Sequence, residues 1–437
     1  MPRPLGALDL LRKRPLWVAP IVLGAVVIAL MTALYIGSVV DPIDRMDGLP
    51  VSVVNLDDGG DSMNLGRALE AQLLRTETTS GKLAVHAEPL DAARERMDRG
   101  DAYATVVIPR DFTAAALVLV GKTAAPGRSG LPTVTLLTNQ RAGTEGASLA
   151  TGVLQPVIAA FSRTTGAALT AAASGPLDPA AQAVLPDPVD TVSEPYRPLP
   201  SKAALGLSAF YVSLLMLMCG FLGATIVNAN VDGALGFAPN EIGPRWSQRR
   251  PALISRWQTL LTKWAIAAGL TAILCAVVLL VAAALLGMDA PQPLLLWLFG
   301  WFSAVTVAIA TLSLLAVLGT PGQIAALLIF IYVGLASAGG TVPIEALPEP
   351  FALVSHIDPL RQIIDGVRSI LYLDASLDAG LGSALVATAL GLLFWLCFAA
   401  FFVRRYDRQG RHRMEPDLVR YVGSAADGYS ARSTPDG

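Results

Sequence analysis

The chain has 437 residues, 53% of them hydrophobic and only 15% charged, with a formal net charge of −2 and a mean hydropathy of +0.55. That balance is too apolar for an ordinary soluble protein and points to an integral membrane protein, with length enough for more than one domain. The charge is uneven: residues 41–200 carry 19 acidic against 13 basic residues and the remainder 15 against 19, while Cys219, Cys275 and Cys397 all lie in apolar runs, which excludes a disulfide framework or a Cys-based zinc site in the acidic block.

A membrane-crossing helix needs about 20 mostly apolar residues, because each rises about 1.5 Å against a core of about 30 Å. The N-terminal segment 1–15 carries Arg3, Arg12, Lys13 and Arg14, and the first qualifying stretch, 16–40, follows it. It continues past the ~7–15-residue apolar region of a secretory signal and shows no clear A-x-A site, so it reads as an uncleaved signal anchor.

Beyond it the periodicity changes. VSVVNL (51–56) has a strand's density of β-branched residues, and DDGGD behind it reads as a turn. SMNLGRALEAQLL (62–74) spaces its apolar residues as a helix does, with Ser62 as a cap. KLAVHA (82–87), LDAARERMDRG (90–100), AYATVVIP (102–109), DFTAAALVLV (111–120), PTVTLLT (132–138) and an Ala-rich helix over 144–173 follow. This alternation predicts a compact α/β domain. The seven prolines of 176–200 predict a semi-rigid linker back to the membrane, closing a 41–200 unit.

Asp57, Asp58 and Asp61 are close in sequence, but a calcium loop of the EF-hand kind alternates its ligands and ends in a distal Glu, which DDGGDSMNLG lacks; a capped turn is expected and no metal. VLVGKT (118–123) has Ala116 where a phosphate loop needs Gly. His86 has no second histidine in the block to work with, and no catalytic set assembles.

Five further spans are expected within 201–403: 203–227, 260–286, 294–318, 323–338 and 381–403, making six in all. Between the second and third lies the loop 228–259, with Glu241, Arg245, Arg249, Arg250 and Arg256 around Trp246 and Trp257. Between the fifth and sixth, residues 341–380 hold an amphipathic stretch. Leu360, Ile363, Ile364, Val367, Ile370 and Leu371 form its apolar stripe, with Arg361, Asp365 and Arg368 beside it at pairing distance. Such a segment lies at the interface or re-enters the membrane as a hairpin. The tail, 404–437, is basic at its start and reads as disordered after Arg413.

Lys and Arg favour cytoplasmic loops. The clusters before span one, between spans two and three, and after the last (Arg404, Arg405, Arg408, Arg411, Arg413) fall on one side of a six-span chain. Both termini are then cytoplasmic in a multi-pass protein of the cell membrane, with 41–202, 288–293 and 341–380 outside. As drawn, the spans hold no Asp, Glu or His and one basic residue, Lys263, which argues against proton coupling. No Walker-type loop is present, so energy for uphill transport must come from another polypeptide.

The phrases PVSVVNLDDGG, NLGRALEAQLL and DAARERMDRGDAYATVVIPRDFTAA resemble the extracytoplasmic insert of type-2 ABC-transporter permeases, especially the YhgE/Pip (phage infection protein) branch. Asn55, Asp57 and Gly59 match its opening turn, and Gly100, Ala104, Val106, Ile108, Pro109, Asp111, Phe112 and Thr113 its second motif. Pro359, Leu360, Gly366 and Arg368 match the P-[LI]-x-x-x-x-x-[GA]-x-R pattern before the last span of such permeases.

The resemblance implies an exporter permease that forms a homodimer or pairs with a related permease, holds no cofactor, and works with a separate ATP-binding subunit. That subunit would dock on the 228–259 loop (Glu241, Arg245, Trp246, Arg249, Arg250, Arg256), while the outer segment (Pro359, Arg361, Asp365, Gly366, Arg368) would close the pathway. The chain itself is then not an enzyme, sits in the lipid bilayer and needs no nucleic acid. The alternative is a cell-surface scaffold or binding protein of the phage-infection or type VII secretion-associated kind. The short outer block and its lack of coiled-coil heptads favour the permease.

Overall fold

The computed structural model describes residues 14–39, 41–60, 63–121, 131–173, 177–247, 249–252 and 254–411. Arg3, Arg12, Lys13, Asp61, Ser62, the end of VLVGKT, Arg413 and the tail beyond it lie outside the described residues. Helix α1 (Arg14–Val39) leads into an α/β unit. In order this comprises β1 (Leu49–Asn55), α2 (Leu65–Ser80), β2 (Leu83–Ala87), α3 (Leu90–Arg99), β3 (Ala104–Ile108) and α4 (Phe112–Leu119). It closes with β4 (Thr133–Thr138), α5 (Thr144–Ala172), α6 (Pro179–Val184) and β5 (Asp190–Pro195).

The sheet order is β2-β1-β3-β4-β5, parallel throughout except for the β3/β4 pair. β1 is a continuous apolar run because both of its faces are covered, as is usual for the inner strand of a parallel βαβ unit. Leu49, Val51 and Val53 face a core shared with Leu69 and Leu73 of α2 and Leu154 and Ile158 of α5. On the opposite face, Thr105 of β3 donates to the Met97 sulfur of α3 at 2.9 Å.

The proline-rich stretch is not a linker throughout. Its residues 190–195 pair in parallel with β4, so the chain adds a fifth strand before returning to the membrane. Pro195 is tolerated because it ends an exposed edge strand, where its missing N–H breaks no inner ladder.

The membrane part comprises α7 (Ser208–Ala234), the β6/β7 hairpin (Asn240–Ile242, Arg245–Ser247), α8 (Arg256–Leu279), α9 (Pro293–Leu318), α10 (Thr320–Leu327), α11 (Glu349–Ser355), α12 (Pro359–Tyr372) and α13 (Gly382–Arg408). α8 continues through a π-helical turn to Leu285, α10 continues to Ser337, and another π turn, Leu377–Leu381, leads into α13. Among the described residues, five helices are long and apolar enough to cross a membrane: Ser208–Ala234, Arg256–Leu285, Pro293–Leu318, Thr320–Ser337 and Leu377–Arg408. α1 adds a shorter apolar stretch, Ala25–Val39, that leans on α10 through Tyr35, whose ring meets Tyr332 edge-on at 6.3 Å.

The apolar helix expected over 203–227 runs further at its end than the sequence predicts. α7 continues seven residues beyond Val227 to Ala234, shortening the 228–259 loop and bringing an acid, Asp232, into the helix. The helix carries it because Lys263 of α8 lies 2.7 Å away, and both side chains are almost fully buried. Between α8 and α9 the indole N–H groups of Trp297 and Trp301 reach the carbonyls of Ala272 (3.0 Å) and Ala268 (2.9 Å), bonds between helices that water does not compete for in lipid.

Candidate functional site

At one end of the bundle, α11 is followed after a short turn by α12. Asp358 caps α12, accepting from the Leu360 N–H at 3.0 Å and from the Ser337 hydroxyl of α10 at 3.1 Å, with Pro359 in the first turn where no N–H is needed. The apolar stripe expected from the sequence is buried in protein: Leu360, Ile363, Ile364, Val367, Ile370 and Leu371 join the core of α7, α9 and α13. Gly366 lies against the ring of Phe299, leaving no room for a β-carbon.

Arg361, Asp365 and Arg368 stand off that stripe as a charged row. Asp365 lies 3.5 Å from Arg361 and 3.7 Å from Arg368, and Arg361 also donates to the Ser355 hydroxyl at 2.9 Å. Facing them is Tyr103 of the α/β unit, which lies near Glu345. Burial pushes the Tyr103 phenol up, and the Glu345 charge adds to this. Burial also raises the Glu345 carboxyl, against the pull of Arg361 and Arg368.

The α/β unit is stitched to this segment at three further points. The Asp47 N–H donates to the Glu345 carbonyl (2.7 Å), Arg141 donates to the Tyr372 carbonyl (3.0 Å), and Arg197 bridges Asp98 (3.0 Å) and Asp374 (3.7 Å). A cavity of ≈ 350 Å³ lies along the junction, between Tyr103, Gly146, Phe210, Gly340 and Arg368. His356 is exposed between α11 and α12.

At the other end, Glu241 and Trp246 pair across the β6/β7 hairpin and Arg245 opposes Ile242. Their side chains lie outside the described residues. Arg249 and Arg250 are exposed just beyond. Arg256 is drawn away from this group. It opens α8, its backbone N–H and that of Trp257 each donate to the Asp407 carboxylate of α13 at 3.1 Å, and its Nε–H reaches the Arg411 carbonyl at 2.9 Å. Arg404 lies 4.5 Å over the Trp257 ring. The end of α13 thus clamps the start of α8. Neither Asp407 nor Tyr103 and Glu345 carries a sequence signal, since each acts on a partner remote in the chain.

The opening motif of the α/β unit is structural. Asp57 accepts from the N–H groups of Gly66 and Thr113 (3.0 Å each) and from the Thr113 hydroxyl (2.5 Å), tying the turn to the starts of α2 and α4. Asn55 accepts from the Asp57 N–H at 3.0 Å and donates to Glu70 at 2.8 Å. Gly59 has a φ of +76°, which a side chain resists. Of the second motif, Pro109 accepts from the Phe112 N–H at 3.2 Å, Asp111 precedes α4, and Phe112 is fully buried against Phe161. Among the described residues no group of three or more His, Cys, Asp or Glu is placed to hold a metal ion.

A family model described as ABC-2 family transporter protein matches residues 16–403. No curated protein and no solved structure matches the chain.

Proposed function

The chain belongs to the ABC-2 transporter family, and from that premise we propose that it is the permease subunit of an ABC-type exporter. Six spans, with α1 as the first, would put the α/β unit outside and both termini in the cytoplasm of a cell-membrane protein. The arginine clusters before α1, around the β6/β7 hairpin and after α13 support that orientation. The VSVVNLDDGG and YATVVIPRDF phrases support the YhgE/Pip-like branch within the family.

The observation that carries the reading is the match over 16–403, which takes in every apolar helix and the α/β unit together. A separate ATPase would dock on the hairpin and on Arg249 and Arg250, and its motion would reach the outer end through α8 and α13. The segment from α11 to α12, with the apolar face of α12 buried in protein and held by the α/β unit, would serve as the outer closure of a pathway completed by a second permease copy or a related chain.

Purification in mild detergent from the native source tests this. An ATPase that co-elutes, is stimulated by the permease and is lost with Arg249→Glu plus Arg250→Glu is the expected result. Absence of any ATPase partner would overturn it in favour of a scaffold or binding role.

A further inference from the structure

Two of the three cysteines meet inside the bundle. α7 and α8 run antiparallel in a fixed register. Asp232 lies 2.7 Å from Lys263 at one end; further along, a β-carbon at Gly223 would come within 3.3 Å of the Thr271 side chain and 3.7 Å of that of Leu274. About one turn beyond that contact, four residues back along α7 and four on along α8, stand Cys219 and Cys275. Both belong to the same buried core, at 9% and 0% exposed, and they lie near one another as free thiols.

A single buried cysteine is ordinarily a small apolar filler. A facing pair on two helices differs, because a disulfide requires α-carbons about 4.4–6.8 Å apart, and a glycine at the contact, here Gly223, lets the two backbones come close. The pair also has a route to an oxidant. On α7, Leu215 and Leu222, four residues before and three after Cys219, are exposed on the surface of the bundle, which places Cys219 at the edge of the side that lipid covers. Charged oxidants are kept out of hydrocarbon, whereas a neutral hydroperoxide enters it.

We propose that Cys219 and Cys275 are a redox-modification site that closes to a disulfide between α7 and α8, with a lipid-borne hydroperoxide, ROOH, as the oxidant. The Cys219 sulfur bonds to the terminal peroxide oxygen as the O–O bond breaks, giving a sulfenic acid and ROH, which takes up the thiol proton. The Cys275 sulfur then displaces the sulfenic oxygen, which leaves as water with the second thiol proton. Each thiol gives up one electron, and the peroxide bond takes both. The inference stands on the register of the two helices and not on the transport reading. Where that reading holds, the bridge fixes α7 to a helix whose start is gripped by α13, and so slows any motion carried through α8.

The test treats the unaltered chain in neutral detergent with cumene hydroperoxide or hydrogen peroxide, then denatures it, blocks remaining thiols with a maleimide and maps the peptides by mass spectrometry. The expected product is a joined Cys219–Cys275 peptide pair lighter by two hydrogens, reversed by dithiothreitol and formed faster with cumene hydroperoxide. Cys397, which is exposed, shows within the same sample that the oxidant acts. Cys275→Ser with Ile273→Cys moves the second thiol to an exposed position of α8. There the bridge should form at least about 10-fold more slowly, since misaligned groups react far less readily.

Equal bridging rates in that variant and in the unaltered chain would overturn the proposal. So would a Cys397 that oxidises while Cys219 and Cys275 remain thiols or become separate sulfinic acids. Hydrogen peroxide outpacing cumene hydroperoxide would overturn the lipid route. No ATPase enters this experiment, so its failure leaves the permease reading standing, and a failed co-purification leaves the redox pair standing.

Discussion

Asp232 and Lys263 form an ion pair of 2.7 Å between α7 and α8, with side chains only 9% and 6% exposed. Removing one partner of such a pair leaves the other charge buried and costs about 3–5 kcal/mol, whereas removing both costs far less. Lys263→Met should therefore lower the thermal midpoint of the solubilised protein sharply, and adding Asp232→Asn should restore most of it. Equal midpoints for the single and double variants would contradict the coupling.

Asp407 holds the first two N–H groups of α8 from another helix. Helix-capping carboxylates are worth about 0.5–2 kcal/mol, so Asp407→Ala should destabilise by about that much. The change should be local: hydrogen exchange should speed up at the amides of Arg256 and Trp257 before it does in α9. Unchanged exchange at those two amides would remove Asp407 from this role.

Asp57 accepts three hydrogen bonds that join β1, α2 and α4. Bonds to a charged acceptor are worth about 1.5–3 kcal/mol each. Asp57→Ala should accordingly destabilise the α/β unit by about 3 kcal/mol or more, while chelation by EDTA should leave the melting temperature of the unaltered chain where it was. A calcium-dependent shift would mean that the turn holds an ion after all.

Gly366 faces the Phe299 ring with no space for a β-carbon. Gly366→Leu should displace α12 and cost about 1–3 kcal/mol, the usual price of overpacking. Phe299→Ala in the same chain should recover part of that loss, and no recovery would argue against the contact.

Glu345 is half-buried near Tyr103, Arg361 and Arg368, and its folded-state pKa is raised, chiefly by burial. A carboxyl raised on folding binds its proton more readily in the folded chain, so its contribution to stability is present at low pH and declines as pH rises through the raised value. Glu345→Gln should flatten that decline as pH rises above the ordinary carboxyl range, as read from thermal midpoints across pH. A parallel pH dependence in both proteins would assign the effect elsewhere.

The fold was legible where one element suffices to read it. VSVVNL, AYATVVIP and PTVTLLT announce strands by their β-branched density, and the stripe from Leu360 to Leu371 announces the buried face of α12. The fifth strand was hidden because the prolines at 186, 188, 195 and 198 mark 190–195 as irregular, while its pairing with β4 depends on tertiary contact. Asp232 escaped notice for a related reason: an acid near a span's end reads as a loop until its cation is found 31 residues later. In the 228–259 loop, composition singled out Arg256 as a basic residue near Trp257, but only the packing of α13 reveals that it is engaged there.

α13 is a helix of 27 residues, roughly 40 Å long at about 1.5 Å per residue. Its basic end grips the start of α8, and a short π turn joins its opposite end to α12. A rod of that length pivoting by about 3° sweeps its far tip through roughly 2 Å. Close-packed side chains such as Phe299 against Gly366 have no such slack to absorb it. A small rotation imposed on this helix where it grips α8 would have to be answered at its other end by repacking of α12.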